Sequence, residues 1–235
     1  MSQHVHDMFE NIAPRYDKAN DALSFGVHRL WRQKAVELSG MKPGAKALDL
    51  CTGTGDFAFE LARKAGPKGE VLGIDFVQEM IQIANQKLAQ RKTSLSSSAP
   101  ITFRQGDALN PNVESNYYDI ATVGFGIRNV DDVSKCLKEM KQALKPGGVC
   151  VVLEFGQPEV PVFKQAYQAY SKYLMPHIGG IVTGNKAAYE YLPETSSKFP
   201  CREEFLTLMQ QVGFSDTRFY SLFLGIAYIY IGVSK

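Results

Sequence analysis

Along the chain, short runs rich in β-branched and aliphatic residues alternate with stretches whose apolar positions recur every three or four residues. Lys46–Leu50, Glu70–Asp75, Ile101–Asp107, Tyr118–Phe125 and Gly148–Phe155 read as strands. Between them, Val77–Lys92 carries Met80, Ile81, Ala84 and Leu88 on one stripe, and Asp131–Leu144 carries Val133, Leu137, Met140 and Leu144 on another. Both patterns predict amphipathic helices. "LKPGG" at 144–148 stops the second helix with Pro and Gly ahead of the fifth strand. Strands alternating with helices predict a parallel sheet covered on both faces. The small polar stretch "TSLSSSAP", 93–100, reads as a mobile surface loop.

After the fifth strand the pattern changes. "FKQAYQAYSKYLMPHIGGI" places Phe163, Tyr167, Tyr170 and Leu174 on one helical face, a stripe that either packs on the sheet or walls a large apolar ligand. A helix over Arg202–Val212 and a hairpin of Thr217–Leu222 with Ile226–Val233 then close the sheet. Ahead of the first strand, "YDKANDALSFGVHRLW" at 16–31 concentrates Tyr, Asp, Asn, Ser, His and Trp. Asn20, Ser24 and His28 recur every four residues and would share a face of an unbroken helix, although "SFG" predicts a break. Trp31 reads as a packing residue.

The length of 235 residues predicts a single domain over 1–235, with an N-terminal segment 1–40, a nucleotide-binding core 41–155 and a closing part 156–235. A net charge of +2 offers no general attraction to nucleic acid. Cys51, Cys136, Cys150 and Cys201 form no CxxC pair and have no histidine at ligand spacing, which predicts reduced thiols, no metal and a cytoplasmic chain. His4 and His6 form an HxH pair, read here as a frayed N-terminus. The longest nearly uncharged run, Leu222–Val233, is too short to span a bilayer, so any membrane contact is expected to be peripheral and transient.

"ALDLCTGTGD", 47–56, reads as strand, tight turn and helix start, with Gly53 and Gly55 where backbone must approach a ligand closely. Asp75 ends the next strand, twenty residues after Gly55, where an acidic group suits ribose hydroxyls. Gly53-Thr54-Gly55-Asp56-Phe57-Ala58 also fits the dinucleotide pattern GxGxxG/A, so this motif alone does not choose a cofactor. Asp56 at the helix start would repel a pyrophosphate, and Asp49 adds a second negative charge beside the loop, as a ligand carrying an ammonium and a sulfonium would require. In "GDAL", Asp107 can accept from an adenine amine.

With these residues in place, the chain resembles class I S-adenosylmethionine-dependent methyltransferases, and more narrowly the ubiquinone/menaquinone biosynthesis C-methyltransferase family. The narrower resemblance rests on "YDKANDALSFGVHRLW", "FGIRNV" at 125–130 and "LKPGGVCVVLEF" at 144–155, and it covers nearly the whole chain. It implies a seven-stranded, mostly parallel Rossmann-like sheet of order 3-2-1-4-5-7-6, with an N-terminal helical lid. Carried over by residue, it implies S-adenosyl-L-methionine in contact with Thr54 in the loop, Asp75 on the ribose, and Asp107 with Ala108 at the adenine. Cys51 stands in place of the first glycine of the broader GxGxG loop, and Gly124 where some members have a serine at the cofactor.

The implied reaction is methylation of a ring carbon of a prenylated quinol, with demethylmenaquinol as the main reading and a methoxybenzoquinol as the alternative. Ring carbon is a poor nucleophile until the neighbouring hydroxyl ionises, and a phenolic pKa lies at about 10. Arg128 is therefore assigned to the quinolate oxygen, since a guanidinium stays protonated, and Asn129 to orienting water or the ring. His28 is the candidate base on intrinsic pKa, and Tyr16 the residue shaping the ring pocket. A nicotinamide-dependent oxidoreductase and an inert methyltransferase-fold subunit are the competing readings. The sequence leaves open a homodimer or a quinone-biosynthesis assembly.

Overall fold

The computed structural model describes residues 3–91 and 93–235, without the His4 side chain. The expected helix end at Lys92 and the His4–His6 pair therefore lie outside the described residues. Helices α1 (Gln3–Ile12), α2 (Tyr16–Ser24) and α3 (Val27–Leu38) precede the sheet, and α4 (Asp56–Ala65), α5 (Gln78–Gln90) and α6 (Val133–Ala143) follow its first, second and fourth strands. Helices α7 (Pro161–Ala169), α8 (Met175–Thr183), α9 (Lys186–Lys198) and α10 (Glu203–Val212) follow the fifth strand.

Strands β1 (Lys46–Leu50), β2 (Glu70–Asp75), β3 (Ile101–Gln105), β4 (Tyr118–Gly124) and β5 (Leu144–Phe155) pair in parallel. β7 (Ala227–Ser234) then inserts antiparallel between β5 and β6 (Phe214–Leu222), giving the order 3-2-1-4-5-7-6. Alternation on the strands divides the core. Ala227, Ile229 and Ile231 of β7 face the layer holding α3, α4 and α5, while Tyr228 and Tyr230 face the layer holding α6 and α10. Ile229 and Ile231, fully buried, each contribute about 1.5–3 kcal/mol.

Local chemistry sets the helix ends. The Asp132 carboxylate accepts from Lys135 N at 2.9 Å and starts α6, and Asn185 Oδ1 accepts from Ala188 N at 3.1 Å and starts α9. Of the expected stripe, Leu137 and Met140 are buried on α6 and Val133 is half-buried, while Leu144 is buried as the first residue of β5 and not on the helix.

Four expectations change. β3 ends at Gln105, and Asp107 sits beyond it in an isolated bridge to Asn110. β5 begins at Leu144, directly from the helix, because Leu144 pairs with Tyr118 before "KPGG" bulges away. The stretch 93–100 is anchored, since Leu95 and Ala99 are buried in the core and Ala99 N donates to Ala62 O at 3.0 Å. The N-terminus is a helix whose Val5, Met8 and Ile12 are buried against Ala188 and Tyr189 of α9, a helical spacing that the polar residues between them obscure.

The aromatic stripe also departs from a regular helix. α7 passes into α8 through a π-type turn, Tyr170–Leu174, whose extra residue rotates the side chains of the next turn. Phe163, Tyr167 and Tyr170 keep one cavity wall, while Leu174 turns outward and is exposed.

The loop from β1 into α4 turns where a side chain would not fit. Gly55 has φ +86°, and a Cβ there would stand 2.5 Å from Phe103 Cζ, whereas a Cβ on Gly53, φ +55°, would meet nothing within 4 Å. Gly55→Ala is expected to destabilise by about 2–4 kcal/mol in urea titration and Gly53→Ala by about 1–2 kcal/mol. Equal losses would mean that Phe103 does not constrain the turn.

Candidate active site

The carboxyl ends of β1, β2 and β4 open on a crevice at the point where the strand order reverses, the usual ligand position in such sheets. Cys51 and Gly53 adopt left-handed backbone to turn the loop, and Gly53 N donates to Asp75 Oδ2 at 2.7 Å. Asp75 Oδ1 accepts from Val77 N at 3.0 Å. Burial pushes the Asp75 carboxyl up, against the backbone N–H groups of Val77 and Gly53. Gly53, Asp75, Gly124 and Asn129 line the crevice from the core, and Phe9 and Tyr16 from the N-terminal helices, leaving a cavity of about 40 Å³. A Cβ on Gly124 would stand 2.8 Å from the Phe57 ring, so a serine does not fit there unless that ring moves. No lysine or arginine lines the crevice among the described residues, which suits a neutral or cationic ligand and not a pyrophosphate.

Other expected cofactor residues face elsewhere. Asp49 is wholly buried, its two oxygens accepting from the Thr52 and Thr122 hydroxyls, each at 2.6 Å, so it props the loop from behind. Thr54 Oγ1 donates to Asp17 Oδ1 of α2 at 2.6 Å and accepts from Lys87 Nζ at 3.0 Å. Asp56 accepts from Lys87 Nζ at 2.5 Å and lies 3.9 Å from Arg32 Nη1. Burial raises its carboxyl, but Lys87 and Arg32 outweigh burial and hold it below the ordinary value. Its charge is thus compensated and off the crevice wall, which corrects its expected role against pyrophosphate. Asp107 Oδ1 accepts from Leu109 N at 2.9 Å, Ala108 is buried in the core, and neither they nor Gly55 lines the crevice in this state.

Beside the crevice lies a second cavity of about 570 Å³, mostly apolar, between the sheet, the N-terminal helices and α7–α9. Phe9, Tyr16 and Phe125 line both cavities and therefore stand between them. Phe125 is left-handed at φ +58°, a strained backbone of the kind found at functional sites. Burial raises the Tyr16 hydroxyl above the ordinary phenolic value, against Asn20, Arg32 and Arg128.

Arg128 and Arg32 bring guanidinium groups to this cavity. For Arg128 the partners lie on the sheet side. Its Nη1 donates to Glu154 Oε1 and to Phe125 O, both at 2.6 Å, while its buried Nε has no partner among the described residues. Glu154 is wholly buried, and burial pushes its carboxyl up against the pull of Arg128. Asn129 Oδ1 accepts from Tyr191 OH at 3.3 Å, joining the crevice to α9.

His28 lines the cavity with Asn20 and Ser24 even though Phe25 and Gly26, both left-handed, break the helix between them. Arg32 Nη1 donates to His28 Nδ1 at 2.8 Å, so Nε2 carries the proton and donates it to Asp21 Oδ1, also at 2.8 Å. Burial and Arg32 hold the imidazole below its ordinary pKa. With neither ring nitrogen free, the geometry corrects the reading of His28 as the base.

Sequence reasoning missed Glu154, Tyr191, Lys87 and Asp17. A lone acid inside "CVVLEF", next to the buried residues 150–153, is the available signal for Glu154, because such a charge demands a buried partner. Tyr191 is hidden by Pro193, which argues against the helix that in fact carries both.

A family model described as the ubiE/COQ5 methyltransferase family matches residues 1–234. The chain belongs to that family. It is 47% identical over 98% of its length to the ubiquinone/menaquinone biosynthesis C-methyltransferase UbiE of Bdellovibrio bacteriovorus, covering 96% of that protein. It is 40% identical over 99% of its length to a demethylmenaquinone methyltransferase of Staphylococcus aureus, covering 94% of it. In fold it resembles SAM-dependent methyltransferases of Thermotoga maritima (TM-score 0.67, 19% identity, 97% and 99% of the two chains) and Aquifex aeolicus (0.63, 19%, 87% and 89%). The protein is therefore a methyltransferase that uses S-adenosyl-L-methionine, not a nicotinamide enzyme, and a crevice with a carboxylate acceptor and no cation fits that cofactor.

Asp49 generates a test of this packing. Burial raises its carboxyl from 3.8 to about 6, outweighing the hydroxyls of Thr122 and Thr52. The native state then binds the proton more tightly than the unfolded state, so the associated stability is present below pH 4 and lost as pH rises through about 6. Asp49→Asn removes this dependence. Relative to wild type, it is expected to gain up to about 3 kcal/mol between pH 4 and pH 7 in denaturant titrations. A pH-independent difference would place the proton elsewhere.

Proposed function

We propose that the protein transfers a methyl group from S-adenosyl-L-methionine to a ring carbon of a prenylated quinol, with demethylmenaquinol as substrate. The observation that carries this reading is the buried Arg128 guanidinium, its Nε without a partner among the described residues, in a large, mostly apolar cavity beside the cofactor crevice; the other arginine on that wall, Arg32, is engaged by His28 and Asp56. Menaquinone is the element common to the names of both kinds of relative. The cofactor supplies the electrophilic methyl. Arg128 stabilises the quinolate oxygen, Asn129 orients the water that accepts its proton, and Tyr16 with Phe125 fits the ring between the cavities. The ring carbon would take the methyl as the methyl–sulfur bond breaks and S-adenosylhomocysteine leaves, and the ring proton would then pass to water, which restores aromaticity. Residues 1–40 act as the lid, 41–155 hold the cofactor, and 156–235 enclose the substrate. Assaying reduced demethylmenaquinone beside the reduced methoxybenzoquinone precursor tests the choice of ring, and turnover of the benzoquinol alone would overturn it.

No helix among the described residues is long and apolar enough to cross a membrane. Phe25 and Phe223 line the apolar cavity yet are 86% and 61% exposed, so they rim its mouth, with Leu224 exposed beside them. We infer that this rim meets the bilayer in which a prenyl tail resides, in reversible peripheral contact. Phe163 and Tyr167, on the wall behind it, touch the tail. Replacing both with Ser is expected to raise the Michaelis constant for long-tailed quinols more than for short-tailed ones. Equal effects would assign the two rings to packing alone.

Arg128→Gln is expected to lower single-turnover methyl transfer by about 10²–10³, the scale of one lost oxyanion donor, with cofactor affinity near wild type. Lysine rescues only in part, because a point charge does not reproduce the planar fork. His28→Ala leaves the shape of the pH–rate profile unchanged. A full rate in Arg128→Gln, or loss of an acidic limb in His28→Ala, would reverse these assignments.

A further inference from the structure

The crevice of about 40 Å³ is far below the roughly 300 Å³ at which small-molecule pockets begin. Two of the side chains closing it, Phe9 and Tyr16, belong to the N-terminal helices, so a nucleoside enters only when these helices move. They pack outside the two sheet cores: Val5, Met8, Ile12 and Ala19 share a small core with Ala188 and Tyr189 of α9, and Ala13, with Phe9 and Tyr16, rests on Val77 and Met80 at the start of α5. The chain leaves this cap through Phe25 and Gly26, consecutive left-handed residues, and a Cβ on Gly26 would meet nothing within 4 Å.

One polar junction ties the cap to the cofactor loop. Lys87 Nζ of α5, nearly buried, donates to Asp17 Oδ2 of the cap at 2.8 Å, to Thr54 Oγ1 of the loop at 3.0 Å and to Asp56 Oδ1 of α4 at 2.5 Å. Asp17 Oδ1 also accepts the Thr54 hydroxyl at 2.6 Å. Asp17 directly follows Tyr16, so the junction fixes the residue that stands in both cavities. Surface ion pairs contribute little, but a shielded ammonium with three acceptors on three elements is a different case.

We propose that Asp17 and Lys87 are positioning residues that latch the cap over the cofactor crevice and so set how fast cofactor enters and leaves. Asp17, Lys87, Thr54 and Asp56 bond to one another and none of them lines the crevice, so the latch acts on opening and not on binding. It therefore slows both directions of exchange, unlike a binding contact, whose loss raises dissociation alone. The inference rests on the family's cofactor and not on the identity of the quinol.

The test uses S-adenosylhomocysteine and the full chain, without quinol. Asp17→Ala keeps the Lys87–Asp56 pair, and alanine suits its helical position. Stopped-flow binding is expected to show association and dissociation both about tenfold faster, the scale of one charge-assisted hydrogen bond, with a much smaller change in the dissociation constant. Amide exchange of the free protein should accelerate over residues 3–24 and stay unchanged in α4 and α5. Lys87→Met reproduces the kinetic effect, and Lys87→Arg, which can still reach the acceptors, restores slow exchange. Unchanged rates, faster dissociation alone, or acceleration of amide exchange across the whole chain would each overturn the latch.

Discussion

Burying one guanidinium organises the active face of this fold. An arginine taken out of water demands compensation, and Arg128 finds it in Glu154, itself wholly buried on a central strand at 2.6 Å. That carboxylate is held in turn by the backbone N–H of Phe155 at 2.8 Å. The other acceptor of Arg128 Nη1 is the carbonyl of Phe125, and Phe125 reaches it with left-handed backbone. From that position its ring packs on Phe155, centroids 4.4 Å apart, and stands between the two cavities. The ion pair, the strained turn and the wall between cofactor and substrate are thus one construction.

The two cavities differ in chemistry because different layers build them. The floor of the crevice is a product of the sheet, with strand ends, glycines without side chains and one carboxylate, and the N-terminal helices close it with Phe9 and Tyr16. The apolar cavity is made by elements added before and after the sheet, and the π-type turn at Tyr170–Leu174 adjusts its wall. Tyr170 OH donates to Leu23 O at 2.7 Å, so the added pieces also hold each other. Methyl transfer needs both environments to meet, and they meet at Tyr16, Phe9 and Phe125.

Much of this is legible in the sequence where periodicity and turn chemistry agree. The five parallel strands, α5, α6 and the closing hairpin follow from apolar spacing and Gly/Pro punctuation, and the strand order follows from the family resemblance. The features that stay hidden depend on partners distant in the chain. Nothing local distinguishes Lys87 from other helix-surface lysines, yet its acceptors lie 70 and 31 residues away. His28 has the intrinsic pKa of a base, but Arg32, one turn along the same helix, donates to the lone pair a base would need. Asp49 reads as a ligand-facing carboxylate because its cover, Thr122, lies 73 residues later in the chain.

These displaced residues share a logic. Thr54, Asp56 and His28, expected at the cofactor or the chemistry, join Asp17, Asp21, Arg29, Arg32 and Lys87 in a connected charged cluster on the far side of the loop. The cations of this cluster would repel a cationic cofactor if they faced the crevice. Arg32, Lys87 and Arg29 instead turn to carboxylates away from it, so the crevice keeps Asp75 as its one described acidic side chain. The field at the cofactor is therefore set as much by where the lysine and arginines are held as by the acid that faces it. Lys87 belongs to both arrangements: its pair with Asp56 holds its charge off the crevice, and its pair with Asp17 reaches the cap, so the electrostatics of the site and the seating of the cap share one ammonium.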